Sequence, residues 1–365
     1  MWRIRAYFNS VLSKWWYSAP LLPPVAGALS LPTRAVNEII QRLAGLNVVE
    51  VPALVVGVSG LVVGGAGKTP FTIWLAGELA DVGVKTVVVH GGYGRRVSVL
   101  ARVVDTEDYE GAFRVFGDEA VLIYRRLNST GPERVPVWVG PKWMAAAMAC
   151  GVDRPDVVIV DDAGQHRRLK KNMEIMVFNL ESPWGNGSLV PFGPLREPLS
   201  AVGRARFAVC TGIDSFRFPE TVCVLKRFLH DDVSVVLARK RPAQFVMGDT
   251  FYPASFLEDR KVVAFAGTAR PEGFFRLLKL CGAVLKGVVS FPDHYPYSGR
   301  DMAVLTKRAE QSGADLLVCT EKDYCRVPVS WQNKVGYVTI DLDFGEWNSD
   351  VRKNLIDAIV SRVKK

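Results

Sequence analysis

The sequence predicts an α/β protein: a P-loop NTPase-like parallel sheet, a second, smaller α/β lobe, and an N-terminal helical membrane-associated arm. Three observations carry that reading. From Pro52 onward, short Val/Ile-rich runs alternate with longer stretches of helical periodicity, as expected for strands covered on both faces by helices. A glycine-rich run, GGAGKTP at 64–70, follows the first such strand and opens a helical stretch marked by Phe71, Trp74, Leu75 and Leu79. The first 45 residues are unlike the rest, with Trp2, Tyr7, Phe8, Trp15, Trp16 and Tyr17 interleaved among Arg3, Arg5 and Lys14.

Apolar runs place strands at 53–58, 86–90, 135–139, 157–160, 175–178, 207–210, 262–266, 316–319 and 337–340. The chain then divides into an arm at 1–45, a P-loop core at 46–215, an irregular connecting region at 216–260 and a second α/β lobe at 261–365. The connecting region holds Pro219, Pro242 and Pro253, and a domain boundary or a small antiparallel element fits there. In the arm, rings that favour the headgroup boundary and cations that favour anionic lipid suit a membrane surface. The alternative for the same residues is a helical arm packed on the body of the protein.

Composition narrows the function classes. Of 365 residues 49% are hydrophobic and 23% charged, which excludes a disordered chain. The net charge of +9 suits a polyanionic partner: nucleotide, nucleic acid, anionic lipid or phosphorylated sugar. Six scattered cysteines without a C-x-x-C pair indicate neither a zinc site nor a disulfide framework, and so a reducing compartment. No signal peptide is indicated, since Lys14 interrupts the start before an apolar core forms. The longest apolar stretch, 48–63, is broken by Glu50, Pro52 and Gly57 and reads as a buried strand, not a membrane span.

The chemistry begins at the glycine run. Gly64, Gly65, Ala66 and Gly67 let backbone N–H groups turn toward phosphate at a helix N-terminus that favours anions. Lys68 then reaches the β- and γ-phosphates and the Thr69 hydroxyl reaches Mg²⁺. Val62 stands where the usual motif has its first glycine, so the loop is atypical. The strand at 157–160 ends in Asp161-Asp162, as a Walker B strand does, although an Asp turn after a strand is ordinary by itself. Asp118, in Gly117-Asp118-Glu119, precedes the helical run 120–127, where capping is the usual role of a lone Asp. In FPDHYPY at 291–297, prolines hold Asp293 and His294 in a loop after a strand. His166 sits in a similar loop. Arg196-Glu197 and Thr320-Glu321-Lys322-Asp323 are further acid–base clusters, for which surface ion pairing is the bland reading.

Taken in order, these segments resemble the tetraacyldisaccharide 4′-kinases, the lipid A 4′-kinases of Gram-negative bacteria. The matching pieces are GGAGKTP at 64–70, GYGR at 92–95, GDE at 117–119 and DDAGQH at 161–166. GNGSLVPFGPLREPLS at 185–200, FAG at 265–267, FPDHYPY at 291–297 and TEKD at 320–323 follow. The resemblance implies transfer of the γ-phosphate of ATP, with Mg²⁺, to the 4′-hydroxyl of a tetraacylated glucosamine disaccharide 1-phosphate, giving lipid IV-A. It also implies a peripheral enzyme on the cytoplasmic face of the inner membrane, meeting an anionic surface, with its site between two lobes. Under it, Asp118 is the general base and His294 its dyad partner, while Lys68 and Thr69 serve the triphosphate. Asp161, Asp162 and Glu197 join Thr69 as metal-site candidates. Gln165, His166 and Arg196 line the nucleotide side. The sequence departs from the family pattern at Ser59-Gly60, Val62, Gly91 and Ala163.

Two other classes compete. A P-loop ATPase or GTPase switch or metallochaperone predicts turnover indifferent to lipid, and a metal-delivery protein should carry Cys/His clusters. A nucleic-acid-binding NTPase is favoured only by charge, and no nucleic-acid module is recognisable. Neither nucleic acid nor an obligatory protein partner is expected.

Overall fold

The computed structural model describes Trp16 and residues 47–92, 95, 100–104, 109–128, 133–212 and 218–363. It shows a mixed α/β fold around one large central sheet. The strands are β1 (Leu54–Ser59), β2 (Thr86–His90), β3 (Ala101–Arg102), β4 (Val137–Val139), β5 (Val157–Val160), β6 (Met173–Asn179) and β7 (Phe207–Gly212). They continue with β8 (Ser234–Met247), β9 (Thr250–Pro253), β10 (Lys261–Ala266), β11 (Val284–Ser290), β12 (Leu316–Thr320) and β13 (Gly336–Asp343). The helices are α1 (Lys68–Asp81), α2 (Tyr109–Phe116), α3 (Asp118–Asn128), α4 (Lys142–Val152) and α5 (Phe218–Lys226). Then come α6 (Pro271–Leu280), α7 (Gly299–Ser312), α8 (Glu321–Tyr324), α9 (Val329–Gln332) and α10 (Ser349–Val363).

The sheet runs β11-β10-β12-β13-β8-β7-β6-β1-β5-β2-β4-β3, with β9 paired to β8. From β2 to β7 the inner strands are parallel, as their unbroken Val/Ile runs require: β1, β2, β4 and β5 are buried along nearly their whole length. β10, β11, β12 and β13 form a second parallel set. Strand β8 joins the two. Its first part pairs parallel with β7, and its second part pairs antiparallel with β13. The connecting region expected as irregular is thus the seam of the sheet, a 14-residue strand that then folds back into β9. Its burial alternates irregularly and it carries Arg239, Lys240, Arg241 and Pro242, which hid it from a search for apolar runs. β11 was also missed: it lies at the edge of the sheet, and its residues alternate between exposed and half-buried.

Aliphatic packing fills both faces. Phe71, Leu75 and Leu79 of α1 pack with Val56, Val58 and Ile159 on one face, while Val55, Val158 and Val160 meet Ala145, Ala146 and Ala149 of α4 on the other. The expected arm lies outside the described residues apart from Trp16, whose Nε1 donates to the Pro191 carbonyl oxygen at 2.9 Å. Among the described residues, no helix is long and apolar enough to cross a membrane.

Candidate active site

The site is built at the carboxyl ends of parallel strands, where α/β sheets keep their ligands. β1 ends at Ser59, and the chain between it and α1 is held by a second loop. Val63 N–H donates to the Pro194 carbonyl at 2.8 Å and Arg196 N–H to that of Leu61 at 2.7 Å. Val62, bridged to Leu195, is therefore buried in an extended pairing position, which a β-branched residue fills and a glycine would weaken. Gly64, Gly65 and Gly67 have φ of 72°, 67° and 88°, which few other residues adopt. Asn179 Nδ2 donates to the Gly65 carbonyl and Thr211 Oγ1 to that of Ala66, both at 3.2 Å. Lys68 and Thr69 follow as the first residues of α1.

Asp161 and Asp162 divide their work. Asp161 is buried and accepts from Thr72 Oγ1 at 2.9 Å and Thr69 Oγ1 at 3.4 Å. Burial raises its pKa against the pull of His90. Asp162, at φ 51°, faces three cations. Its carboxylate lies 3.2 Å from Lys68 Nζ and 2.6 Å from Arg196 Nη1, and its carbonyl accepts from Lys142 Nζ. Although burial opposes ionisation, Lys68 and Arg196 hold its pKa well below the usual carboxylate range. Lys142 is only 4% exposed, and burial lowers its ammonium to about 8. No motif announced this residue; a lone Lys after Gly-Pro is not a signal. A Cβ on Gly91 would meet the Lys142 side chain at 3.5 Å, an ordinary packing distance.

A second corner lies beside the first. α3 opens with Asp118 and Glu119, two acids on a helix N-terminus that favours negative charge. Asp118 Oδ1 accepts from Glu119 N–H at 2.9 Å. Asp118 Oδ2 lies 3.0 Å from His294 Nδ1, although 176 residues separate them. Burial would raise the Asp118 pKa, but the His294 hydrogen bond and the charge of Lys322 prevail and lower it. His294 sits at φ 57°, a left-handed conformation costly for a non-glycine, and its N–H donates to the Gly267 carbonyl at 3.2 Å.

Glu119 joins the corners. Its Oε2 is 3.2 Å from His90 Nε2 and its Oε1 is 2.8 Å from Lys322 Nζ, while His90 Nε2 stands 3.9 Å from Asp161. Burial opposes ionisation of Glu119, but Lys322 and His90 hold it well below the ordinary value. His90, Glu119 and Asp161 place one ligand atom each within 4.8 Å of one another. The Gly92 N–H donates to His90 Nδ1 at 2.9 Å, so that nitrogen keeps its lone pair and Nε2 carries the proton toward Glu119. Of the cluster, the oxygens of Asp161 and Glu119, with the Thr69 hydroxyl, then remain as ligands, a hard donor set that fits Mg²⁺. Glu119 and His90 were not among the expected site residues, because an acid after Asp118 reads as helix-dipole charge and a strand-end His as core.

One expected metal ligand is elsewhere. Glu197 Oε2 accepts from Arg204 Nη2 at 2.5 Å, and Arg204 also lies 3.5 Å from Glu174. Two buried acids share that guanidinium, and Lys171 completes the group, 3.1 Å from Glu174. The short helical turn at Leu199–Arg204 brings Arg204 back onto Glu197 and takes the carboxylate into a structural ion network. Gln165 donates to the Arg196 carbonyl at 3.5 Å and is exposed, as is His166, whose N–H closes a turn onto the Ala163 carbonyl. The Arg196 side chain is at the site; Gln165 touches it through the backbone of Arg196. Tyr93 and Gly94 of the GYGR segment lie outside the described residues.

Comparison with known proteins converges on one family. A family profile described as tetraacyldisaccharide-1-P 4′-kinase matches residues 19–360. A tetraacyldisaccharide 4′-kinase of Syntrophobacter fumaroxidans is 34% identical over 93% of this chain and 90% of its own length. One from Paramagnetospirillum magneticum is 36% identical over 80% and 82% respectively. In fold, the chain resembles LpxK from Aquifex aeolicus, solved in complex with ATP, with a TM-score of 0.67, 23% identity, and coverage of 92% of this chain and 98% of that one.

Proposed function

The chain belongs to the tetraacyldisaccharide-1-P 4′-kinase family, and from that premise we propose how its residues divide the reaction. It is a kinase that transfers the γ-phosphoryl group of ATP to the 4′-hydroxyl of a tetraacylated glucosamine disaccharide 1-phosphate. The observation that carries the assignment of roles is the 3.0 Å contact of Asp118 with His294, placed one residue from a carboxylate shared with the nucleotide corner.

The glycine cradle at Gly64–Gly67 and Lys68 hold the triphosphate. Arg196 adds positive charge on the same side, through the Asp162 carboxylate it shares with Lys68. Asp161, Thr69 and Glu119 would hold Mg²⁺, which when bound offsets charge between the β- and γ-phosphates. Asp118 takes the proton of the 4′-hydroxyl as the sugar oxygen bonds to phosphorus and the bridging oxygen leaves with ADP. Its low pKa keeps it ionised, and a loose transition state needs only a weak base because the proton leaves late. Lys68 meets the charge that builds on the leaving phosphate.

The N-terminal arm is the part we assign to the membrane. Its rings and cations suit an anionic surface on the cytoplasmic side of the inner membrane, with the protein peripheral to it. Co-sedimentation with anionic vesicles that survives Arg3→Glu, Arg5→Glu and Lys14→Glu together would contradict the assignment.

The function is tested with γ-labelled ATP and disaccharide 1-phosphate in mixed micelles. Label enters the lipid with the wild-type protein, and Lys68→Ala slows the transfer about 10²–10³-fold. Steady ATP hydrolysis without label in the lipid would instead favour a switch ATPase.

A further inference from the structure

Lys322 is the second residue of α8, the short helix that follows β12 directly, and plays no part in the roles assigned above. Its Nζ lies 2.8 Å from Glu119 Oε1, 3.3 Å from His294 Nε2 and 3.9 Å from Asp293 Oδ1. Its place is fixed by the turn it belongs to. Thr320 Oγ1 accepts from Asp323 N–H at 3.0 Å, and Asp323, fully buried, is bonded to Tyr297 and Arg326.

An ammonium has three N–H donors and no lone pair. In its contact with His294 it is therefore the donor, and Nε2 is the acceptor. An imidazole that accepts at Nε2 carries its one proton on Nδ1. Nδ1 is the atom that faces Asp118 Oδ2 at 3.0 Å. Both contacts thus select one tautomer. We propose that Lys322 is a positioning residue that fixes His294 as the neutral Nδ1–H tautomer, so that the imidazole donates to Asp118 and holds its carboxylate toward the acceptor hydroxyl. In this arrangement the proton taken from the hydroxyl stays on Asp118, because Nε2 is occupied. The second N–H of Lys322 binds Glu119, so one side chain sets the dyad and a metal-site carboxylate together.

The same corner supplies an internal control. His90 accepts the Gly92 N–H at Nδ1 and presents Nε2–H to Glu119, the opposite tautomer. With four histidines in the chain, imidazole nitrogen NMR of the labelled protein resolves the two, His90→Gln and His294→Gln giving the assignments. The inference rests on Asp118 and His294 acting as the dyad.

In the wild type, His294 is expected as Nδ1–H and His90 as Nε2–H. Lys322→Met removes the donor at similar length; with Asp118 still accepting at Nδ1 and Nε2 no longer held as an acceptor, His294 should change at Nε2, to the doubly protonated form. It should also lower kcat about 10–100-fold, as loss of an orienting partner does, with KM for ATP within about 3-fold. Lys322→Arg should restore the tautomer and most of kcat. A wild-type His294 protonated at Nε2 overturns the proposal whether or not any variant folds, and so does an Nε2 signal of His294 unchanged in Lys322→Met. Full activity in Asp118→Asn would instead sink the dyad reading and leave the tautomer result standing.

Discussion

The nucleotide corner and the dyad corner are made in opposite ways. Lys68, Thr69 and Thr72 come from one turn of α1, and a single strand end brings Asp161 and Asp162 to them. The dyad corner draws Asp118 and Glu119 from α3, His294 from the loop after β11, and Lys322 from the start of α8. The first is a local solution to binding phosphate, set largely by glycine backbone and one helix end. The second exists only when the two parallel strand sets are joined through β8 and their helices meet. The contacts that close it, Asp118–His294 and Glu119–Lys322, span 176 and 203 residues. A second cross-link, Arg126 Nη1 to Glu321 Oε2 at 3.1 Å, ties α3 to α8 nearby. Nucleotide binding should therefore survive damage to the dyad corner, and phosphoryl transfer should not.

Glu119 belongs to both corners, so changing it should give the largest mixed effect. Glu119→Gln should lower kcat about 10²-fold and raise the Mg²⁺ concentration for half-maximal rate about 10-fold. A variant altered in kcat but not in metal response would remove Glu119 from the metal set. Gly67→Ala should break the nucleotide corner alone. Its Cβ would stand 2.8 Å from Thr211 Oγ1 at φ +88°, a strain of about 1–3 kcal/mol. Nucleotide affinity should fall while the Asp118–His294 contact, read from the His294 nitrogen spectrum, stays intact.

The smallest effect expected is on stability. Lys142 titrates at about 8 in the folded protein, below the ordinary lysine value of 10.5, because burial disfavours its charge. Between pH 8 and 10.5 the unfolded chain binds more protons than the folded one, so stability rises with pH across that window. Lys142→Met should accordingly stabilise the protein by about 1–2 kcal/mol at pH 7, with the gain fading toward pH 10.5 in denaturant titrations. A loss of stability at pH 7 would mean that the bond to the Asp162 carbonyl outweighs the burial cost.

The same contrast explains what was legible in the sequence. Strands β2 and β5 lie where the apolar runs put them, and the glycine run, Lys68 and Asp161 announce themselves by spacing, since a phosphate cradle is a local motif. Asp118 and His294 were expected as a pair only through the GDE and FPDHYPY segments of the family resemblance; spacing and periodicity do not pair them, and their contact is a product of the fold. β8 and β11 were hidden because a seam strand rich in cations and a half-covered edge strand do not show continuous hydrophobicity. Glu197 misled for a related reason. An acid beside Arg196 suggests a ligand, and only the returning turn shows that Arg204 claims it. Lys142, Glu119 and His90 were missed because their contacts carry no motif and form only on folding, across 20, 203 and 29 residues respectively.

The division between the corners is tested most directly by Asp118→Asn, which keeps the size and shape of the side chain and removes its charge. Nucleotide affinity and label transfer to the disaccharide are measured on the same preparation. An ATP dissociation constant within about 3-fold of wild type and a transfer rate lower by about 10²–10⁴-fold are expected. Transfer at the wild-type rate, or loss of nucleotide binding together with transfer, would contradict that division.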